Sequence, residues 1–234
     1  MNALAESTIS IRDLRQRSLV PPERLARIQA VVIGVGAVGR QVAWQLTALG
    51  IPRLILFDHD RVEVENLAPQ GYWPEDLGKA KVMATADLCQ RIHPEVQVNP
   101  RAERFKRSGV RDLPLDLESA IFVAVDSIAT RRWIWEAIRA QAAFLADGRM
   151  NGEVIRVLAS AFPVEDDDYP RTFFDASEAF AGACTSKSTI YTACITAGLM
   201  VAQFTKWLRR QPVDADVTLN LLAGEWMVPA PSRP

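Results

Sequence analysis

The apolar positions of this chain fall into short unbroken runs, separated by longer stretches with helical spacing. Ala30–Ile33, Leu54–Phe57 and Ala120–Val125 contain no polar residue. A run of that kind predicts a strand buried on both faces, as in a parallel sheet covered by helices. Between the first two runs, a glycine-rich turn opens a helical pattern that lasts to Leu49. Gly50 can close that helix as a C-cap, and Pro52 blocks its continuation. Strand, turn, helix and strand in this order make a βαβ unit. Upstream, Pro21–Pro22 offers a start for a short helix over Pro22–Ile28. Downstream, the pattern predicts a helix over Gly78–Ile92, a strand at Val96–Val98, a helix over Thr130–Ala143 and a strand at Phe144–Ala146.

The remainder changes character. Asn151–Phe162 and Val217–Leu222 read as strands. Between them lie an acidic loop and a long apolar helix over Ser188–Leu208. The segment 165–187 is longer than an ordinary connection and is expected to be a mobile, functional loop. The expected fold is a single α/β domain over residues 1–234 with an N-terminal helical segment, residues 1–30. Its sheet is doubly wound and mostly parallel, with a Rossmann-like nucleotide-binding half and an antiparallel C-terminal extension.

Composition removes several function classes. Hydrophobic residues make up 49% and charged residues 24%, with a net charge of −1. That balance supplies a core and argues against nucleic-acid or membrane-surface partners. No apolar run reaches the ~20 residues of a membrane span. The first ten residues lack the order of a signal peptide, so a cytoplasmic location is expected. The cysteines are Cys89, Cys184 and Cys194, with no Cys-x-x-Cys, which disfavours a structural zinc or a disulfide scaffold.

The candidate chemistry starts at Gly34, Gly36 and Gly39, which follow a strand and open a helix. Glycines there permit a tight turn, close approach of a phosphate to backbone, and tight helix–strand packing. Asp58 stands at the end of the second strand, where a carboxylate can accept from ribose hydroxyls. These two features alone fit an NAD-dependent oxidoreductase equally well. That alternative is disfavoured because no catalytic His, Ser or Tyr-x-x-x-Lys stands at a suitable place.

The stretch from Asp58 through Asp60, Asn66, Leu67 and Gln70, then Gly78-Lys79-Ala80-Lys81, resembles the ThiF/MoeB superfamily of adenylating domains shared with ubiquitin-activating enzymes. The family pattern is an acidic strand end, then N-L-x-R-Q, then G-K/Q-x-K-A/V. The Arg12–Gln16 opening, Val125-Asp126-Ser127 with Arg131 and Arg132, and Cys184-Thr185 before a long helix extend the resemblance over nearly the whole chain.

The resemblance implies a homodimer that uses ATP and Mg²⁺ to adenylate the C-terminal glycine carboxylate of a ubiquitin-like or sulfur-carrier protein, which a downstream conjugating enzyme can follow. It assigns Mg²⁺ to Asp126, phosphate contact to Lys81 rather than Lys79, hydrogen bonds to Asn66, and a charge contact with the partner subunit's nucleotide to Arg15. The family's loop cysteine, able to take over the acyl group, matches Cys184. Capping of the next helix is the competing role for Asp126, and a turn is the competing role for Asn66. Cys89 and Cys194 lie in apolar helical patterns and are expected in the core. His59 and His93 have no metal-ligand spacing. The chain departs from the pattern at Pro69, where the family has arginine. Arg17, Arg61 and Arg149 are the candidate replacements. Pro69 also keeps open a non-catalytic scaffold that holds a nucleotide and a ubiquitin-like partner.

Overall fold

The apolar runs Ala30–Ile33, Leu54–Phe57 and Ala120–Val123 are buried on both faces, and the packing shows why. In the computed structural model, which describes residues 11–106, 118–174 and 188–229, eight strands form one sheet in the order β3-β2-β1-β4-β5-β6-β7-β8. They are β1 (Gln29–Ile33), β2 (Arg53–Phe57), β3 (Gln97–Arg101), β4 (Ser119–Val123), β5 (Phe144–Asn151), β6 (Val154–Ser160), β7 (Asp216–Asn220) and β8 (Glu225–Met227). β3, β2, β1, β4 and β5 are parallel. β5 through β8 are antiparallel.

Successive residues of a strand serve opposite cores. Ala30 and Val32 of β1 join a cluster that includes α2 (Ala37–Leu49), α4 (Lys81–Ile92) and α6 (Ile190–Leu208). Val31 and Ile33 face the other side, where α5 (Ile128–Ile138) covers Ile55, Ile121 and Leu145. Two short helices, α1 (Pro22–Leu25) and α3 (Val64–Gln70), also lie among the described residues. No helix among the described residues is long and apolar enough to cross a membrane.

The doubly wound, mostly parallel sheet with an antiparallel extension is the expected architecture. Several element bounds differ. The anticipated strand at Phe144–Ala146 runs on to Asn151 and turns through a hairpin at Gly152 (φ 59°) into β6. The charged pattern Asp147-Gly148-Arg149 hides this continuation, because the charges are satisfied by residues distant in sequence. The helix expected from Gly78 starts at Lys81, and that expected from Thr130 starts at Ile128 behind a Ser127 cap. α3 and β8 were not anticipated. Residues 165–174 are not a free loop, because Tyr169–Thr172 forms a 3-10 turn with Tyr169 buried against Trp135. The rest of that segment, including Cys184, lies outside the described residues.

Candidate functional site at the carboxyl edge of the sheet

The chain leaves β1 toward β2 and β3 on one side and resumes at β4 on the other. A crevice must therefore open at the carboxyl ends of β1 and β4, the place where such sheets bind ligands. The glycine turn fills its floor. Gly34 takes φ +87°, donates from its N–H to the Phe57 carbonyl at 2.8 Å, and would place a Cβ 2.6 Å from the Ala124 carbonyl oxygen. A Cβ on Gly39 would lie 1.7 Å from the Gly34 oxygen, so α2 rests directly on the turn. Gly36 is different, since among the described residues its Cβ would meet only the Gln70 side chain, at 3.8 Å. Gly36 is also the N-cap of α2 and provides no side-chain cap. The first-turn N–H groups of a 13-residue helix therefore stand at an open cradle, the arrangement that holds an anion.

Around this cradle the structure gathers most of the residues singled out from sequence. Asp58 is half-buried; its Oδ2 accepts from the Val35 N–H at 2.8 Å and its Oδ1 from the Asp60 N–H at 2.9 Å. A carboxylate has further lone pairs, so both oxygens can still take a ligand hydroxyl. Lys81 is buried at the start of α4, and its Nζ lies 3.1 Å from Asp60 Oδ2. It is held there because residues 78–81 fold back on 60–62: Val62 N–H donates to Lys79 O, Gly78 N–H to Val62 O, and Lys81 N–H to Asp60 O. Lys79 points elsewhere, to Asp76 at 3.1 Å and Asp87 at 3.8 Å. Among the described residues, the Gln70 Oε1 is buried with no hydrogen-bond partner beside Gly36. A buried orphan polar atom over an open glycine fits a site that a polar ligand completes.

Asp126 is exposed on the loop after β4, whose preceding residues Ala124 and Val125 flank Gly34. Helix capping is not its role, since the Ser127 hydroxyl accepts from the Thr130 N–H at 3.2 Å. Behind this loop sits a buried charge cluster that sequence reasoning missed. Arg131 donates to the Val125 carbonyl and pairs with Asp147 Oδ1. The other oxygen of fully buried Asp147 accepts from Arg149 Nε at 2.8 Å and the Tyr169 hydroxyl at 3.1 Å. Burial lowers the Arg149 pKa and raises that of Tyr169. The Asp147 carboxylate thus ties the Asp126 loop to the 169–172 turn. A charged residue inside an apolar strand was its only sequence signal.

Other expectations need correction. Asn66 is a helix-start residue rather than a turn residue: its Oδ1 accepts from the Glu63 N–H at 3.0 Å in a capping box that starts α3. Arg149 is held by Asp147 and by Thr172 through all three guanidinium nitrogens, whereas Arg61 is exposed and donates to the Gly78 carbonyl at 2.7 Å. His59, which has no metal-ligand spacing in sequence, lies beside Asp58 and Asp60 with one potential ligand atom of each within 4.8 Å of the others; Asp126 is not among the three. Arg15 is exposed and does not reach the cradle. Its neighbours Arg12 and Gln16 donate to the carbonyls of Thr47, Ala48 and Leu49 at the far end of α2, roughly 20 Å from Gly36 at 1.5 Å per helical residue. Cys89 is in the core, its thiol pKa raised to about 11 by burial, and Cys194 is half-buried, its pKa also raised by burial.

The sequence profile of the ThiF family matches residues 10–225. The chain belongs to the ThiF family. Curated relatives match it over one stretch. Ubiquitin-like modifier-activating enzyme 5 of Caenorhabditis elegans is 43% identical over 76 residues, 32% of this chain and 18% of the relative. That of Dictyostelium discoideum is 37% identical over 75 residues, 32% of this chain and 20% of the relative. The matched stretch therefore spans only about a fifth of those relatives. Among solved structures, PaaA aligns with a TM-score of 0.75 and 21% identity over 93% of this ThiF chain and 68% of its own. E. coli MccB with ATP aligns with a TM-score of 0.75 and 18% identity, over 98% and 73% respectively. At such identities these two share the fold.

Proposed function

We propose that this ThiF-family chain acts as one adenylation domain that uses MgATP to activate the C-terminal glycine carboxylate of a ubiquitin-like or sulfur-carrier protein. The observation that carries the reading is the convergence of four chemical features on one sheet edge. These are an open glycine cradle on an uncapped helix, the Asp58 and Asp60 carboxylates, the buried Lys81, and the exposed Asp126 across the crevice. Relatives named as ubiquitin-like modifier-activating enzymes, and a structural neighbour solved with ATP, support it.

In the reaction, a carboxylate oxygen of the carrier attacks the α-phosphorus. The bond from that phosphorus to the bridging oxygen breaks, and pyrophosphate leaves with the electron pair. The α2 N-terminus and Lys81 offset charge on the phosphate oxygens, with Lys81 exchanging Asp60 for phosphate. Asp58 accepts from the ribose, and the Gln70 carboxamide reaches a phosphate or sugar oxygen. Asn66 contributes after leaving its capping box. Mg²⁺ held by Asp126 would neutralise further phosphate charge. Such positioned charges account for most of the catalysis in transfers of this kind. Because Arg15 sits at the wrong end of its own α2, its contact to the phosphate tail comes from a second copy, which makes the working unit a homodimer. In the second half-reaction the Cys184 thiolate attacks the acyl carbonyl, AMP leaves, and a thioester forms for a downstream conjugating enzyme or sulfur donor.

The test is pyrophosphate exchange with candidate carriers ending in glycine, alongside calorimetric titration of ATP and NAD. Carrier-dependent exchange with ATP binding is expected. Tight NAD binding without ATP binding overturns the reading, and ATP binding with no exchange for any carrier supports a scaffold instead.

A further inference from the structure

A turn built from glycines is loose, and a loose loop binds weakly because the ligand must order it. Here the turn is held at both backbone polar groups of Val35, one in each of two successive peptide planes. The Val35 N–H is fixed by Asp58 Oδ2 at 2.8 Å, and the Val35 carbonyl accepts from the Tyr72 hydroxyl at 2.6 Å. We infer that Tyr72 is a positioning residue for the phosphate cradle, its hydroxyl fixing the Val35–Gly36 peptide and so aiming the Gly36 N–H and the N–H groups that follow it.

Several features make this more than a buried aromatic filling space. Tyr72 is 3% exposed, and its ring packs under the Arg40 guanidinium, 4.0 Å from the ring centre. Phenylalanine would satisfy that packing. The hydroxyl instead reaches three polar atoms: the Val35 carbonyl, Thr85 Oγ1 at 3.3 Å and the Lys81 carbonyl at 3.5 Å. It therefore touches the glycine turn and the start of the helix that carries Lys81. Burial raises its pKa, which keeps the proton on and the hydroxyl a donor. The chain is delivered to this spot by Gly71 at φ +71°, whose carbonyl accepts from Arg40 Nε at 3.2 Å. Gln41 Nε2 holds the adjacent Gln70 carbonyl at 3.3 Å. Two side chains of α2 thus clamp the end of α3, and Tyr72 returns the connection to the turn at the head of α2. A tyrosine after the N-L-A-P-Q-G stretch carries no sequence signal of this role.

The inference rests on the cradle binding a triphosphate, and the experiment separates the two. Tyr72→Phe keeps the ring and deletes the donor; Thr47→Val, which removes a buried hydroxyl bonded to Ala43 O at 2.8 Å on the same helix, is the control. Calorimetry with ATP and with adenosine, and amide exchange at Val35 in the free protein, are the readouts. Tyr72→Phe should weaken ATP binding at least about fivefold, the loss of one buried hydrogen bond, with adenosine unchanged and Val35 exchange faster. Thr47→Val should alter none of these. Unchanged ATP affinity, an equal loss for ATP and adenosine, unaltered Val35 exchange, or the same losses in Thr47→Val each overturn the inference. Wild type that binds no ATP overturns the proposed function along with it.

Discussion

Gly36→Ala separates ligand binding from folding at a single methyl group. The residue has φ −73°, so alanine needs no left-handed backbone, and the new Cβ would meet nothing nearer than Gln70 at 3.8 Å. The structural cost is the poorer N-cap, about 0.5–1 kcal/mol. For a chain of this length that lowers Tm by at most about 4 °C. The same methyl stands where a phosphate must approach the N–H groups of α2. Displacing charge-assisted hydrogen bonds worth about 3 kcal/mol weakens ATP roughly 100-fold. The two other glycines give the opposite pattern. Gly34→Ala forces a side chain into φ +87° and 2.6 Å from a backbone oxygen, and Gly39→Ala places one 1.7 Å from another. Left-handed strain of about 1–2 kcal/mol at Gly34 and overpacking of about 1–3 kcal/mol at both positions then lower Tm by about 4–20 °C for Gly34→Ala and about 2–12 °C for Gly39→Ala. Thermal denaturation and calorimetric titration with ATP read both quantities on one set of samples. Gly36→Ala protein that binds ATP within about twofold of wild type would refute the cradle assignment.

Asp126→Ala should abolish pyrophosphate exchange with Tm unchanged, because the side chain is exposed and Ser127 caps the helix; full exchange in the variant would remove the metal from that position. Arg15→Ala should lose about 2–4 kcal/mol of transition-state stabilisation, and mixing it with Lys81→Ala should restore part of the activity in exchanged heterodimers. No recovery in demonstrated heterodimers would exclude action in trans. Cys184→Ala should leave adenylate formation near normal and eliminate a hydroxylamine-sensitive carrier adduct, seen by mass spectrometry. An adduct of equal yield in both proteins would take Cys184 out of the second half-reaction.

The strands buried on both faces were legible because burial on both faces leaves no polar position, and Ala30–Ile33 or Ala120–Val125 can be read directly. The hairpin of β5 and β6 was not, because Asp147 and Arg149 look like loop residues until Arg131, Tyr169 and Thr172 are brought to them. α3 was hidden in a similar way, since a helix of 7 residues with a proline inside gives no periodic signal, and its start depends on the reciprocal bonds of Glu63 and Asn66.

By itself, the sequence determined the order of the elements other than α3 and β8, the glycine turn and the set of charged residues on the exits of β2 and β4. Those follow from local rules: apolar runs, glycine at a positive φ, carboxylates after strands. The tertiary structure alone decided which way each charge points. It sent Lys81 to the crevice and Lys79 to Asp76, because the pairing of 78–81 with 60–62 places alternate side chains on opposite sides. It left Asp126 free by letting Ser127 cap the helix, and it kept Arg15 at the far end of α2. It also brought Tyr72 under the glycine turn, a contact between residues 37 positions apart. Direction and long-range contact depend on the packing of whole elements, and no local pattern of residues encodes them.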